Sequence, residues 1–275
     1  KFLYDVPTGF LALMDDNIPQ EGLESPDFVW IKNRSAAVSH VLQDSVRGIG
    51  SNGVNFNTLI SDTTGAEFNQ ADADGVSSLD ANGFTVGYTD SSAWNESTTT
   101  YVAWNWKAGG TAVSNTDGSI TSSVSAAPDA GFSICTYTGT STVSESFGHG
   151  LNQAPELVIT KARNTTDAWR VHGSVLGTDK FLALSGTNAV ATDSSNGGFP
   201  DNTDTLVNLG YESTNGTNYV AYCFHSVEGY SKVGSYEGNS SSTDGAFVYT
   251  GFRPSWIIGK NADASGRWWI YDNKR

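Results

Sequence analysis

The sequence predicts an all-β protein composed of tandem antiparallel β-sandwich modules, of the jelly-roll or lectin-like kind, built from an internal repeat. Three observations support this prediction. The 275 residues include 30 glycines but only one methionine and 16% charged residues, so strong helix formers are scarce and turn formers are abundant. Apolar and polar residues alternate along short runs between Gly-, Asn- and Ser-rich turns. One phrase of sequence also occurs three times.

The recurring phrase contains a proline that is followed six positions later by a lysine. Its copies are "SPDFVWIKNR" (copy one), "APELVITKAR" (copy two) and "RPSWIIGKNA" (copy three), and they lie 129 and 99 residues apart. A second phrase occurs twice, as "YVAWNW" from Tyr101 and "YVAYCF" from Tyr219. Long units that keep their internal register indicate duplicated modules of the size of small β-sandwiches.

The spacing of these phrases divides the chain into four segments. Residues 1–24 contain "FLYDVPTGFLALMDDNIP", which resembles the closing strand of a lectin-like module, and this resemblance implies the closing strand and linker of a preceding module. Residues 25–112 form the first β-sandwich repeat, and residues 113–231 form the second. Residues 232–275 begin a third repeat, which is either incomplete or completes a neighbouring sheet.

Alternation of side chains predicts which strands of the repeat are buried. The strand after each proline is largely apolar on both faces, as in "FVWI" of copy one, which is typical of an interior strand covered on two sides. The strand beginning at Tyr101 has a face of bulky aromatic residues and is predicted to be half-buried.

The next strand of the recurring unit has one apolar face and one mixed face. The mixed face carries Gln43 in copy one, Arg170 and His172 in copy two, and Trp269 and Tyr271 in copy three. We expect this face to look outward. Trp269, Tyr271, Arg170 and His172 are therefore candidate ligand-binding residues, because exposed aromatic rings can stack on a sugar or contact another subunit. Burial under a neighbouring module is the alternative, and burial or an interface is favoured over a glycan site.

Charge and hydropathy exclude some classes of partner. The formal net charge of −14 and the pI near 4.5 oppose binding to phosphates, so we expect no nucleic-acid partner. No apolar run approaches the roughly 18 residues that span a bilayer, so we expect no membrane insertion. Cys135 and Cys223 lie in strand-like runs, where buried thiols are favoured over a disulfide, and the sequence leaves their pairing open.

The repeated phrases resemble those of virion structural proteins from tailed phages of marine bacteria, especially cyanophages. The resemblance is carried by "SPDFVWIKNRSAAVSHVLQDSVRG", "YVAWNWKAGG", "TDGSITSSVSAAPDAGFSICTYTG", "GHGLNQAPELVITKAR" and "GAFVYTGFRPSWIIGK", and it covers most of residues 25–275. It implies a particle component that forms a fibre, an appendage or a surface decoration on the capsid or tail and contributes to host attachment. We further expect a homo-oligomer, with a trimer as one arrangement, in contact with other virion proteins.

One acidic segment is a candidate metal site. The stretch "NQADADGVSSLD" contains Asp72, Asp74 and Asp80, and alternating aspartates before a glycine can place oxygens around Ca²⁺. The spacing of an EF-hand is missing, since the sixth-position glycine and twelfth-position glutamate are not there. A plain acidic loop is the favoured alternative, and we expect no other cofactor.

The sequence therefore predicts a non-enzymatic structural protein. The carboxylates lie mostly in turn contexts such as "TDGS", the four histidines are far apart, and neither a nucleophile elbow nor an HExxH motif occurs. A glycan-binding adhesin is the alternative function, with host surface glycan as its partner. An enzyme that degrades surface polysaccharide is the third and weakest hypothesis.

Overall fold

The structure, a computed structural model, describes residues 10–11, 25–51, 53–69, 75–87, 91–141, 144–193, 198–210 and 212–274. Within these ranges the protein contains nineteen strands, one short 3-10 turn (Pro128–Ala130) and no α-helix, which confirms the all-β class. No helix that could cross a membrane occurs in the described ranges. The strands are β1 (Phe10–Leu11), β2 (Phe28–Asn33), β3 (Val41–Asp44), β4 (Leu59–Ile60), β5 (Val76–Asp80), β6 (Gly83–Val86), β7 (Tyr101–Trp106), β8 (Val113–Asn115), β9 (Ser122–Ala127), β10 (Phe132–Thr138), β11 (Ser146–Gly148), β12 (Leu157–Ala162), β13 (Arg170–His172), β14 (Lys180–Ala183), β15 (Ala191–Thr192), β16 (Leu206–Asn208), β17 (Asn218–Phe224), β18 (Trp256–Lys260) and β19 (Trp268–Asp272).

The named strands pair antiparallel in several sheets. A five-stranded sheet has the order β1-β7-β2-β3-β4, and an eight-stranded sheet has the order β15-β14-β13-β12-β17-β10-β9-β8. Three further pairs are β5-β6, β11-β16 and β18-β19. The described part of the predicted closing strand in residues 1–24 is β1, which pairs with β7. The remainder of that segment lies outside the described residues.

Each copy of the recurring phrase forms the first strand of an antiparallel hairpin, and the three hairpins have the same register. The partners at the central position are Trp30 and Leu42 in β2-β3, Ile159 and Val171 in β12-β13, and Ile258 and Ile270 in β18-β19. These residues occupy equivalent places in the three copies of the sequence. A slip of one residue would turn the apolar set to the opposite face, so burial of that face holds the register.

The second phrase also occupies equivalent places. It forms β7 beside β2 and β17 beside β12, and it aligns Trp30 with Trp104 and Ile159 with Tyr222. The order β1-β7-β2-β3-β4 in one sheet therefore corresponds to β10-β17-β12-β13-β14 in the other.

The repeated lysine has the same structural role in all three copies. Its Nζ donates a hydrogen bond to the carbonyl oxygen of the following residue: Lys32 to Asn33, Lys161 to Ala162 and Lys260 to Asn261. The ammonium group thus fixes the turn that follows the strand, because it satisfies carbonyl groups that the sheet leaves unpaired.

The three hairpins share one core. The inner faces of the two large sheets pack together, and the third hairpin packs against the same cluster. The stack of Phe28 on Tyr222, with ring centroids 4.5 Å apart, joins copies one and two. The edge-to-face contact of Trp106 with Trp256, at 5.2 Å, joins copies one and three. The core residues are Phe28, Trp30, Leu42, Leu59, Trp104, Trp106, Ala108, Phe132, Ile134, Ile159, Trp169, Val171, Leu182, Leu184, Val220 and Tyr222.

Successive copies contact each other through equivalent indole groups. Nε1 of Trp169 in copy two donates to the carbonyl oxygen of Ile60 in copy one, at 2.8 Å. Nε1 of Trp268 in copy three donates to the carbonyl oxygen of Ala183 in copy two, at 2.9 Å. Ile60 ends β4 and Ala183 ends β14, and these are corresponding strands.

A second pair of equivalent contacts joins copy one to copy two and copy three to copy one. The Tyr222 hydroxyl donates to Oδ2 of Asp44 at 2.7 Å, and Nε1 of Trp104 donates to Oδ2 of Asp272 at 3.2 Å. Each aspartate ends the second strand of its hairpin. The three copies are therefore arranged in a ring around the common core.

Two smaller cores cover the outer faces of copies one and two. In copy one, Val29 and Val41 pack beneath residues that include Phe56, Val76 and Trp94. In copy two, Val158 lies in a cluster with Tyr137, Phe147, Leu151, Val207 and Leu209. The covering residues follow the hairpin in copy one, and they both precede and follow it in copy two.

The expectation that the mixed face looks outward is wrong for Gln43 and His172. Gln43 is buried, where its amide donates to the carbonyl oxygen of Phe56 and accepts from the amide of Val76. His172 is 1% exposed and its ring lies 4.7 Å from that of Phe199. Chain segments distant in sequence cover both residues. The alternation of side chains within the strand cannot predict this cover.

Candidate functional site

A cluster of exposed large apolar side chains lies on the third hairpin. Trp269 and Tyr271 project from the outer face of β19 and are 57% and 58% exposed. Their rings are nearly parallel, at 15°, with centroids 6.3 Å apart. Ile257, opposite Tyr271 on β18, is 49% exposed, and Gly259 lies opposite Trp269. We call Ile257, Trp269 and Tyr271 the aromatic face.

The equivalent positions are covered in the other two copies. Ile257, Trp269 and Tyr271 correspond to Val29, Val41 and Gln43 in copy one and to Val158, Arg170 and His172 in copy two. All of these are buried except Arg170, which is partly buried. The exposure of the aromatic face is therefore a property of the third hairpin alone among the three equivalent hairpins.

The structure divides the four predicted ligand-binding residues into two groups. Trp269 and Tyr271 lie on β19 and face solvent, whereas Arg170 and His172 lie on β13 in a different sheet. The Arg170 guanidinium carbon lies 4.6 Å above the ring of Phe181, a cation–π contact. A ligand on the outer surface could reach the first group directly, but not His172.

Copy two contains two buried titratable side chains, His172 and Glu212, that the sequence does not indicate. Burial lowers the pKa of His172 to about 3, so its imidazole is neutral. Burial also raises the pKa of Glu212 to about 8, against the attraction of the Arg170 charge. Among the described residues, neither Glu212 oxygen nor either ring nitrogen of His172 has a hydrogen-bond partner. Folding of copy two therefore shifts the pKa values of both His172 and Glu212.

A chain of ion pairs joins copy one to copy two. Arg47 contacts both Asp44, which is fully buried, and Glu67, at 3.1 Å. Arg163 in copy two then holds Glu67 with two hydrogen bonds of 2.9 and 2.8 Å. Because the four residues are separated by up to 119 positions, no local sequence pattern predicts this contact. Its role is to fix the two sheets relative to each other.

Only part of the predicted calcium site can be placed. Asp72 and Asp74 lie outside the described residues. Asp80 ends β5, is exposed, and accepts a hydrogen bond of 2.7 Å from the Thr85 hydroxyl. In the described part of the chain no three metal-ligating side chains come together. The Ca²⁺ site stays a prediction.

A shallow groove of about 460 Å³ crosses β8, β9 and β10. It is lined by Ser114, Ile120, Thr121, Ser122, Ser123, Thr136, Tyr137, Thr138, Arg163 and Asn218. Among these lining residues Arg163 is the only charged one, and Glu67 already binds its guanidinium. The groove therefore offers hydroxyl groups for hydrogen bonding.

Cys135 and Cys223 are both buried as free thiols. They lie on adjacent strands, β10 and β17, in the outer core of copy two. Burial raises the pKa of Cys223 well above its usual value, so this thiol stays protonated. The favoured interpretation of two small buried hydrophobic residues fits their positions.

The fold and this surface define a class: an all-β protein of several antiparallel sheets that leaves one aromatic hairpin face open to solvent. The chain belongs to the DUF7483 family, described as a domain of unknown function, whose profile matches residues 16–275. No curated protein and no solved structure matches the chain.

Proposed function

We propose that the protein is a non-enzymatic structural component of a phage particle. It forms a fibre, an appendage or a surface decoration on the capsid or tail and contributes to host attachment. The resemblance of its repeated phrases to virion proteins of marine phages supports the particle role. Its location is the particle surface, and its partners are other copies of this chain and other virion proteins.

We also propose that the repeat builds tandem sandwich modules of the jelly-roll or lectin-like kind. The shared register of the three hairpins and the equal strand order of the two large sheets support this arrangement. Modules that pack on one core form a rigid body, which suits a part that projects from a particle.

We call the proposed binding to other copies or to other virion proteins the assembly role. The exposure of the aromatic face is the main observation that supports it. Its three residues are exposed where their six equivalents are largely buried, so the third hairpin keeps open a surface that the repeat otherwise covers. Burying apolar surface stabilises a contact by about 25 cal/mol per Å². The face is therefore a favourable place for contact with another protein.

Sedimentation analysis of the purified chain tests this proposal. The wild-type chain is expected to form a defined oligomer at micromolar concentration, and the double variant Trp269→Ser, Tyr271→Ser is expected to be monomeric. Tyr236→Ser is the matched control, because Tyr236 is also exposed but lies outside the aromatic face. A monomeric wild-type chain, or a double variant that assembles like wild type, would refute the assembly role.

Labelling of virions with an antibody against the chain tests the particle role. We expect label on the capsid or tail surface. Particles that carry no label while the protein is present elsewhere in infected cells would contradict it.

A glycan-binding adhesin is the second candidate function, and the geometry of Trp269 and Tyr271 favours it. Two nearly parallel exposed rings can present their faces to a sugar. On a glycan array, the wild-type chain should then bind a host surface glycan, and Trp269→Ala should lose this binding. Equal binding by wild type and Trp269→Ala would exclude the aromatic face as the glycan site.

A further inference from the structure

The β18 edge of the third hairpin differs from the corresponding edges of its two equivalents. In copy one, β2-β3 is flanked by β7 and β4, and in copy two, β12-β13 is flanked by β17 and β14. In copy three, β18 pairs with β19 and with no other strand of the described ranges. An open strand edge presents a row of backbone N–H and C=O groups that can pair with another chain.

We propose that β18 is an acceptor edge for an added β-strand of the β7/β17 type. This goes beyond the assembly role by naming the partner: an extended segment with aromatic residues at alternate positions, like "YVAWNW" and "YVAYCF". The partner would add to β18 as β7 adds to β2 and as β17 adds to β12. Main-chain pairing then gives affinity, and the alternate side chains give specificity.

The hairpin is already held in the position that strand addition needs. Trp256, Ile258, Trp268 and Ile270 pack against the common core. The indole of Trp268 also donates to the carbonyl oxygen of Ala183 in copy two, and the Val190 amide donates to the carbonyl oxygen of Ala262 at 2.7 Å. Because the acceptor edge is preorganised, the partner strand alone bears most of the ordering cost on binding.

The register of the added strand follows from the two equivalent pairings. Trp30 and Ile159 are aligned with the aromatic residues Trp104 and Tyr222, so Ile258 is expected to lie opposite an inward aromatic residue. The neighbouring outward position is alanine in both phrases, aligned with Ile31 in copy one and Thr160 in copy two. Its equivalent in copy three is Gly259. The chemistry of the acceptor edge thus matches the alternation of the phrase.

The shared core also provides a contact for the incoming inner aromatic residue. In copy one, Phe28 stacks on Tyr222 of the strand that belongs to the next copy. The equivalent residue in copy two is Leu157, which is only partly buried at the margin of the core. We expect the aromatic residue opposite Ile258 to cover Leu157.

A peptide with the sequence of residues 217–226, "TNYVAYCFHS", is the probe for this proposal. The full chain should bind it saturably. A peptide with the same side chains but N-methylated at alternate residues is the control, because it cannot form the main-chain ladder. Loss of three or so hydrogen bonds should weaken its binding about tenfold or more. Equal binding of the two peptides, or no saturable binding, would overturn the proposal.

Hydrogen exchange locates the bound peptide. In an antiparallel hairpin the amides of β18 point alternately toward β19 and toward the open edge. Peptide addition should therefore slow the exchange of the edge-directed amides within Trp256–Lys260. Trp269→Ala, which changes the outer face and not the β18 edge, should bind the peptide within about twofold of wild type. Saturable binding without protection of β18 would show that the peptide binds elsewhere and would refute the proposal.

Peptide binding, sedimentation and hydrogen exchange of the same samples distinguish failure of this inference from failure of the proposed function on which it rests. Peptide binding to a chain that sediments as a monomer would support strand addition while the assembly role fails. Assembly of a chain that binds no peptide would refute strand addition while the assembly role stands. A glycan that binds the aromatic face should leave the exchange of β18 unchanged.

Discussion

The outer faces of the second and third hairpins have the same backbone register and opposite surroundings. Val158 and His172 of copy two are 0% and 1% exposed, whereas the equivalent Ile257 and Tyr271 are 49% and 58% exposed. The strands themselves do not explain this difference, because β12-β13 and β18-β19 pair in the same way. The connections around copy two supply its cover. The comparison shows that the covering layer determines whether a given strand face is a core or a surface.

The largest expected effect comes from removing an indole at the repeated contact between copies. Trp169 is fully buried and its equivalent, Trp268, is partly buried. Trp169→Ala should lower the free energy of unfolding by about 3–5 kcal/mol, because it leaves a cavity and an unpaired carbonyl group. Trp268→Ala should cost roughly half as much. Urea denaturation of both variants measures the loss of unfolding free energy. An equal or larger loss in Trp268→Ala would contradict the difference in burial between the two indoles.

The two repeated aspartates provide the next test. Asp44 is buried and paired with Arg47, whereas the equivalent Asp272 lies in the partly open third hairpin. Asp44→Asn should cost about 3 kcal/mol, because it leaves the Arg47 charge buried without its main partner. Asp272→Asn should cost about 1 kcal/mol or less, since the amide oxygen can still accept from Trp104. Denaturation at constant pH compares the two, and similar losses would contradict the difference in burial.

The covered face of copy two should also give the protein a pH-dependent stability. Glu212 has a pKa of about 8 in the folded protein and near 4.5 when unfolded, so folding binds a proton between these values. Its contribution is fully present below about pH 4.5 and is lost as pH rises toward 8.

Glu212→Gln should therefore flatten the fall in stability between pH 5 and 8. Glu228→Gln is the control, because Glu228 is an exposed carboxylate. His172, with a pKa of about 3, acts in the opposite direction: its contribution is lost as pH falls from 6.5 toward 3. Thermal denaturation across pH 3–9 measures both effects, and an unchanged slope in Glu212→Gln would contradict the assignment of Glu212.

The smallest expected effect comes from a substitution at an exposed position, compared with one at the equivalent covered position. Trp269→Ala should change the stability of the monomeric chain by about 0.5 kcal/mol or less, because the ring faces solvent. Val41→Ala, at the equivalent buried position in copy one, should cost about 1–2 kcal/mol even though it removes fewer atoms. The experiment uses unfolding at a protein concentration low enough to prevent assembly. A larger loss in Trp269→Ala than in Val41→Ala would show that the aromatic face is covered.

The sequence predicts the all-β class and the matching places of the three copies well, because these depend on local alternation and on the repeated phrase. The alignment of Trp30, Ile159 and Ile258 in the sequence is the same as their alignment in the sheets. The expected outward orientation of the mixed face holds for Trp269 and Tyr271, whereas burial, the alternative, holds for Gln43 and His172. The virion role, the repeat boundaries and the Ca²⁺ site remain predictions.

The contacts that the sequence does not predict depend on residues distant in the chain. Gln43 has polar neighbours on residues 13 and 33 positions away, and Glu67 binds Arg163 across 96 positions. Glu212 lies in a loop without any recognisable motif, and only the packing around it raises its pKa. Such contacts form only when the sheets pack together. Alternation in the sequence predicts which face of the strand a side chain lies on, but not which residues pack against that face.

The common core has a consequence for how the protein melts. Copies joined like beads would each denature at a temperature of their own. Here the inner faces of all three hairpins pack on one core, so the loss of one copy would expose core residues of the others to water. We therefore expect one endotherm in scanning calorimetry, with copies one, two and three lost together.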